Sequence, residues 1–152
     1  RGVGIDIDPQ RIAEARENAE RQGVAERVEF RQQDVFQVDL SQANVAMIYL
    51  TGWMVDKLQP QLERMPPGSR IVSHDFWLEQ IQPERVEEVT IQGVGQERHA
   101  LYVYRTPLRR DPAMEKGKPP RPRPPPRTAW IPASPPLWPR SRTPRNFNRR
   151  SK

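Results

Sequence analysis

Hydrophobic and polar residues follow a regular order at the start of the chain. Residues 2–7 form a short apolar run, and Asp8 and Pro9 directly behind it are typical of a helix N-cap and a first-turn proline. Small or apolar residues then recur at helical spacing on one face of residues 9–22: Ile12, Ala15 and Ala19. Gly23 provides a C-terminal stop. The pattern predicts a strand, a tight turn and an amphipathic helix with one buried face.

Four further segments continue this order. Residues 28–31 alternate in polarity and the chain then reaches Asp34, which predicts a second strand with an acid at its carboxyl end. Residues 45–50 are continuously apolar, as in a strand that is covered on both faces. Residues 54–65 have apolar side chains at helical spacing, and residues 70–76 have the pattern of another buried strand. The order of strand, helix, strand, strand, helix, strand indicates the parallel sheet of an α/β fold.

The pattern changes behind the last of these strands. Residues 86–94 and residues 100–105 are both rich in β-formers, and residues 93–98 join them as a short connection. Two such segments favour an antiparallel pair. We therefore predict a Rossmann-like, mainly parallel sheet with a C-terminal antiparallel β pair.

The end of the chain differs from its body in composition. Beyond Pro107, twelve of the remaining 45 residues are proline, which favours an extended or disordered segment. These 45 residues carry 13 Lys and Arg against two acids, whereas the net charge of the whole chain is +6. The basic excess therefore belongs to the tail. We predict a partial domain over residues 1–107 and a disordered Pro/Arg-rich tail over residues 108–152, through which alone the chain could contact nucleic acid.

Other features of the composition exclude some classes of protein. The chain has no cysteine, so disulfides and thiolate metal sites are excluded, and with two histidines in all we expect no metal site. No apolar run approaches the roughly 20 residues that cross a bilayer, so no membrane segment is expected. Because the chain opens inside a predicted strand, we interpret its N-terminus as a break within a domain. A cytoplasmic location is expected, with any targeting segment placed before Arg1.

Polar residues stand at the carboxyl ends of the predicted strands, where ligands bind to open parallel sheets. They are Asp6, Asp34, Tyr49, Thr51, His74 and Asp75. Asp6 can accept two hydrogen bonds from a ribose diol, and the alternative is that it only starts the turn. Because Asp8 already fills the capping position, we favour the ribose role. Asp34 can accept a hydrogen bond from an adenine amino group while Val35 packs against the ring.

The string GVGIDIDP at residues 2–9 is followed by a helix that contains Glu14-Ala15 and Asn18-Ala19. Further segments continue the motif in the same order: residues 28–35, 48–50, 58–62, 67–76 and 101–107. Together they resemble the class I, Rossmann-like S-adenosylmethionine-dependent methyltransferases. They are similar to a bacterial group of this family, some of whose members resemble protein lysine methyltransferases.

The resemblance implies S-adenosylmethionine as the cofactor. It also implies the residues that border this cofactor: Asp6, Ile7, Asp34, Val35 and Tyr49. The reaction implied is methyl transfer from the sulfonium to an N or O acceptor, with a protein lysine among the candidates.

Two departures from the family pattern qualify this interpretation. The family's first strand and glycine-rich loop would precede Arg1, so we expect a fragment that neither folds robustly nor binds cofactor and is inactive. In the family's sheet the first strand lies between the strand that corresponds to residues 2–6 and the strand that corresponds to residues 45–50. Thr51-Gly52-Trp53 also stands where relatives have a proline-containing turn, which changes the expected border of the acceptor pocket.

The candidate catalytic residues each have two interpretations. Tyr49 and Trp53 could face a cationic amine or the sulfonium, or they could be ordinary packing residues. His74 and Asp75 could act as a general base for a hydroxyl acceptor, or the histidine could simply be hydrogen-bonded at a strand end. His99 precedes a predicted strand, and we assign it no role.

Two other classes of function remain open from the sequence. An acid at the end of the second strand also occurs in NAD-type dinucleotide-binding oxidoreductases, although the closing β pair favours the methyltransferase. A non-enzymatic binding protein could instead act through the basic, Pro-rich tail on aromatic grooves or RNA. The tail could also be a solubilising extension, or a sequence with no selected role.

Overall fold

The computed structural model describes residues 1–93, 95–114 and 117–120, with the backbone alone for residues 91–93 and 95–97. This part of the chain contains two α-helices and six strands: β1 (Gly2–Asp6), α1 (Pro9–Arg21), β2 (Val28–Gln32), β3 (Val45–Ile48), α2 (Gly52–Leu62), β4 (Arg70–His74), β5 (Arg85–Gly93) and β6 (Gly95–Arg105). The mixed α/β class with parallel strands and a closing antiparallel pair confirms the sequence prediction.

The described strands form two separate sheets. β1 and β2 pair in parallel, and β3 pairs in parallel with β4. β6 lies antiparallel between β4 and β5, which gives the second sheet the order β3-β4-β6-β5. Within the described residues, β1 and β3 each have one edge that no strand pairs with. The sequence suggested one continuous sheet, but the described strands are divided into two sheets between β1 and β3.

Helix α1 begins and ends where its sequence signals lie. The Asp8 carboxylate accepts a hydrogen bond from the Gln10 backbone N–H at 2.8 Å, and a proline occupies the first turn. Ile12 and Ala19 are buried, as the one-sided apolar pattern predicts. Gly23 lies in the left-handed region at φ 65° and ends the helix.

The hydrophobic core lies between α2 and the second sheet. Val55, Leu58 and Leu62 form the buried face of α2 at helical spacing. They belong to one cluster with Ile71 of β4 and Tyr104 of β6. Burial of these side chains, at up to about 3 kcal/mol each, is what holds α2 on the sheet.

Strand β3 differs from its prediction. The continuous apolar pattern of residues 45–50 predicted burial on both faces, but Val45, Met47 and Tyr49 are 52%, 84% and 81% exposed. Ile48, on the opposite face, is 6% exposed and belongs to the core. The prediction is wrong for one face because no described element packs against it.

Two boundaries near the antiparallel pair also differ from the predictions. β4 ends at His74 and not at residue 76, because Asp75 adopts the left-handed region at φ 59°. The connection predicted over residues 93–98 is largely strand, since β6 begins at Gly95 and Gly93 pairs with Gly95. His99 consequently lies inside β6, and not before a strand as predicted.

Contacts with the body continue beyond residue 107. The Gln82 backbone N–H donates to the Arg109 carbonyl at 2.9 Å, and the Asp111 N–H donates to the Gln80 carbonyl at 2.8 Å. The boundary predicted near Leu108 stays a prediction, and residues 121–152 of the predicted tail lie outside the described residues. None of the described helices is long and apolar enough to span a membrane.

Candidate functional site

The carboxyl ends of β1 and β2 bring Asp6 and Asp34 to one edge of the first sheet. Asp6 pairs with Gln32 in the parallel register, and the Gln33 backbone N–H donates to the Asp6 carbonyl at 2.9 Å. Asp34 follows directly behind this contact. Two acids that are 28 positions apart in the sequence therefore stand on the same edge, where parallel sheets bind ligands.

Each of these carboxylates uses one oxygen to shape its own turn. Asp6 Oδ1 accepts from the Asp8 N–H at 2.9 Å, and Asp34 Oδ1 accepts from the Phe36 N–H at 2.9 Å. Among the described residues, no hydrogen bond reaches the second oxygen of either group. The turns thus fix both carboxylates and leave an acceptor oxygen on each for a ligand.

Apolar side chains accompany the two acids. Ile7, directly behind Asp6, is 67% exposed, and Val35 is half-buried at the start of a short 3-10 turn (Val35–Gln37). A nucleoside needs acceptors for its hydroxyls and amino group and apolar surface for its ring. The residues at this edge fit those needs.

The ends of β3 and β4 present a second set of side chains, most of them aromatic. The Tyr49 ring lies 4.7 Å from the His74 ring, centroid to centroid, and Tyr49 is largely exposed. Trp53, in the first turn of α2, is 64% exposed and lies 6.1 Å from the Phe36 ring. Phe36 has a second contact of this kind, because Lys57 Nζ lies 4.1 Å from the centre of its ring. Tyr49 and Trp53 are therefore surface aromatics, and not core packing residues, in the described structure.

A cluster of three titratable groups lies beside Tyr49. Asp75 Oδ2 is 2.7 Å from His99 Nδ1 and 3.4 Å from His74 Nδ1. Burial opposes ionisation of Asp75, but the hydrogen bonds from His99 and from the Ala100 N–H, with the nearby histidines, outweigh it and lower the pKa of this carboxyl. The Asp75 carboxylate is thus held ionised against two imidazoles.

His99 was missed by the sequence reasoning, which gave it no role. Its signal lies in the antiparallel register of β4 and β6, where His74 pairs with Leu101. Continuing that register past the end of β4 brings Asp75 against Ala100 and its neighbour His99. The register depends on a contact between segments about 25 positions apart, which no local pattern records.

Two clefts, of about 430 and 240 Å³, lie apart from the candidate residues in the described structure. The first is lined by Asp56, Gln59, Glu79, Gln80 and Arg110, and the second by residues 36–40 with Gln61 and Arg64. Neither includes Asp6, Asp34 or Tyr49, so the edge of the first sheet that carries Asp6 and Asp34 lies outside both clefts.

The chain is similar to several methyltransferases. Residues 1–85 match the ANTKMT methyltransferase domain. A protein-lysine N-methyltransferase from Saccharolobus islandicus (strain REY15A) is 35% identical over 105 residues, which cover 68% of this chain and 63% of that protein. A ribosomal protein L11 methyltransferase from Pectobacterium carotovorum is 39% identical over 66 residues, 43% of this chain and 22% of that protein.

A solved structure is similar as well. It is an RNA methyltransferase from Salinibacter ruber in complex with S-adenosyl-L-homocysteine, 38% identical in sequence. The match has a TM-score of 0.63 and covers 76% of this chain and 72% of that chain. The chain therefore spans less than two thirds of the curated relatives and nearly three quarters of this solved one. The region of the family match includes β1 to β4, and with them Asp6 and Asp34.

Proposed function

This chain belongs to the family of the ANTKMT methyltransferase domain, and on that premise we propose that it serves methyl transfer from S-adenosylmethionine to an N or O acceptor. S-adenosylmethionine, when bound, supplies an electrophilic methyl group on its sulfonium sulfur. The oxidoreductase alternative has no support in the comparisons, since the similar proteins are methyltransferases. Family membership thus sets the class of chemistry, and the edge of the first sheet is where this chain contributes to it.

The observation that carries the proposal is the placement of Asp6 and Asp34 at one edge. Asp6 would accept hydrogen bonds from the ribose hydroxyls, and Asp34 would accept one from the adenine amino group. Ile7 and Val35 would contact the apolar faces of the nucleoside. Because the turn hydrogen bonds already fix both carboxylates, little conformational entropy is lost when they bind.

The acceptor side of the reaction is proposed to lie at the ends of β3 and β4. Tyr49 and Trp53 present exposed aromatic faces, which attract cationic amines. The similar Saccharolobus protein is a protein-lysine N-methyltransferase, and this favours a lysine side chain as the acceptor. The lysine ammonium must first lose its proton to solvent. The residues here would then align the neutral amine for attack on the sulfonium methyl and exclude water, and such alignment can supply a large part of the rate enhancement.

A second acceptor class has its own support. The similar solved structure from Salinibacter ruber is described as an RNA methyltransferase. A base would stack on the same exposed aromatic rings. Shifts of the Trp53 indole NMR signal on adding a lysine-containing peptide, and none on adding an RNA oligonucleotide, would favour the lysine acceptor. Because Trp53 lies in the proposed acceptor site, its signal reports binding there and not binding of RNA to the basic tail.

The edge that carries Asp6 and Asp34, the proposed nucleoside edge, is tested with adenosine and a single substitution. Adenosine is the probe because these residues are proposed to contact only the nucleoside part of the cofactor. We expect adenosine to shift the backbone amide signals of Ile7 and Val35. Asp6→Asn keeps an oxygen for the Asp8 N–H but removes the charge, and it should weaken adenosine binding by about tenfold, the loss of one charge-assisted hydrogen bond.

The matched control is Asp111→Asn. Asp111 lies outside the nucleoside edge, and its Oδ1 accepts the same kind of turn hydrogen bond, from the Ala113 N–H at 3.0 Å. We expect this variant to bind adenosine as the unchanged chain does. The assignment of this edge would be contradicted if adenosine shifted other amide signals but not those of Ile7 and Val35. It would also be contradicted if both substitutions weakened adenosine binding equally.

A further inference from the structure

The two histidines of the chain converge on one carboxylate oxygen, and we propose that His74, Asp75 and His99 form a binding site for a divalent transition metal ion such as Zn²⁺. Each residue offers one ligand atom, and these atoms all lie within 4.8 Å of one another. Two imidazoles and a carboxylate are a ligand set that suits borderline ions such as Zn²⁺ better than Mg²⁺ or Ca²⁺. The count of histidines alone had argued against a metal site, but the count says nothing about their placement.

The distances within the cluster fit a shared ion. Two ligands on one tetrahedral Zn²⁺, with bonds of about 2.0–2.1 Å, lie roughly 3.3 Å apart. Asp75 Oδ2 and His74 Nδ1 are 3.4 Å apart, which is long for a hydrogen bond and matches this separation. Asp75 Oδ2 and His99 Nδ1 are 2.7 Å apart, a hydrogen bond that would lengthen by roughly 0.6 Å around an ion. The ligand atoms of the two histidines lie within 4.8 Å of each other, so they would approach by at most about 1.5 Å to share the ion.

The backbone holds the carboxylate in the orientation that the site needs. Asp75 lies in the left-handed region, and its N–H donates to the Ala100 carbonyl at 2.8 Å. The Ala100 N–H in turn donates to Asp75 Oδ1 at 2.8 Å, so Oδ2 is the oxygen that faces both imidazoles. An outer hydrogen bond that orients a ligating carboxylate is a common feature of metal sites. Here the neighbouring strand β6 supplies both that bond and one of the histidines.

The cluster is open to solvent, as entry of a metal ion requires. The side chains of His74, His99 and Asp75 are 23%, 20% and 35% exposed, so an ion can enter from solvent. Three protein ligands leave a fourth tetrahedral position for water or for another ligand. Tyr49, whose ring lies 4.7 Å from that of His74, is a neighbouring side chain of the cluster.

Calorimetric titration of the full chain, prepared without an affinity tag, with ZnCl₂ tests the proposal. We expect saturable binding of one Zn²⁺ per chain, unaffected by excess Mg²⁺. His99→Ala and Asp75→Asn should each weaken binding at least about tenfold, because each removes a ligand. Asp56→Asn is the matched control, since Asp56 is an acid on α2 that lines a separate cleft, and it should leave Zn²⁺ binding unchanged. Absence of saturable binding, or equal affinity in the His99→Ala chain, overturns the proposal.

A second measurement needs no substitution and so does not depend on whether the variants fold. The chain has two histidines, so its imidazole ring signals in NMR report on this cluster alone. Bound Co²⁺ should move the ring signals of both histidines far outside their usual range. Signals that stay in place at saturating Co²⁺, or a shift of only one histidine, would show that the three residues do not hold the ion together.

Discussion

Tyr104 shows how a single buried polar atom fixes a loop. Its hydroxyl oxygen accepts a hydrogen bond from the Leu78 backbone N–H at 2.9 Å, and both residues are essentially without solvent contact. Burial raises the pKa of the Tyr104 phenol far above its ordinary value of 10.0, although the Leu78 hydrogen bond opposes the shift. The neutral phenol is therefore part of the folded structure.

Replacement of Tyr104 by Phe should destabilise the chain. The substitution leaves the Leu78 N–H buried without its acceptor, which costs about 1–3 kcal/mol of unfolding free energy. Denaturant unfolding at about pH 8 measures this loss. Tyr49→Phe is the matched control, because Tyr49 is 81% exposed, and it should change the unfolding free energy little. Equal losses in both variants would contradict this account of Tyr104.

The same phenol gives a pH dependence with a defined sign. Because its pKa is raised in the folded state, the stability that it contributes is complete below about pH 10, the ordinary value of the phenol. It is lost as the pH rises above that value, where the unfolded chain ionises first. The unchanged chain should therefore lose stability more steeply above about pH 10 than the Tyr104→Phe variant. Unfolding midpoints of both chains, measured across this pH range, check the sign. Parallel curves for the two chains would contradict the prediction.

At the scale of secondary-structure elements, β1 and β2 depend on a glycine under an aromatic ring. Gly4 pairs with Phe30 in the parallel register, and the ring lies over the glycine. A Cβ placed on Gly4 would be 2.5 Å from Phe30 Cδ1, whereas one on Gly2 would have Val28 Cγ1 as its nearest neighbour at 3.7 Å. The two glycines lie on the same face of one strand, and only Gly4 is under a ring.

Substitution of these glycines by alanine tests the contact. Gly4→Ala forces the Phe30 ring off the strand and should lower the unfolding free energy by about 1–3 kcal/mol, as overpacking does. Gly2→Ala makes only an ordinary contact and should be neutral or slightly stabilising, since alanine restricts the unfolded chain. Thermal or denaturant unfolding of the pair gives the comparison. A Gly4→Ala chain as stable as the Gly2→Ala chain would show that Phe30 moves aside at no cost.

At the scale of the whole molecule, the second sheet ends in an uncovered apolar strand. Val45 and Met47 are exposed on one face of β3, and Tyr49, directly after the strand, is exposed as well. Among the described residues, β4 is the only partner strand of β3. An exposed, apolar edge strand is a site for pairing with another chain. The described part of the chain is therefore expected to gain stability from whatever covers this face.

We expect this surface to cause self-association of the chain as it stands. Met47→Lys should reduce it, since a charge on an edge strand opposes pairing between chains. Val89→Lys is the matched control, because Val89 is 40% exposed on β5, away from the β3 edge. Sedimentation velocity over a range of concentrations measures the effect. Self-association that both substitutions reduce equally, or a chain that stays monomeric throughout, would be evidence against this role of β3.

Much of the candidate site was predictable because its determinants are local. The N-cap, first-turn proline and apolar spacing of α1 act within one helical turn, so its bounds follow from about fifteen residues. The parallel arrangement of β1 and β2 follows from the helix between them, and it places Asp6 and Asp34 on one edge. Their assignment to a nucleoside stays a prediction, but their common edge was available from the order of elements.

Local sequence alone thus determined the order of strands and helices, the caps of α1 and the edge on which the two acids stand. The division into two sheets and the exposure of Met47 were decided by tertiary structure, because burial depends on which elements are present to cover a strand. The meeting of Asp75 with His99 was also decided there. It depends on the β4–β6 register, a contact between distant segments whose free energy comes from pairing and burial across the whole sheet and not from their own residue patterns.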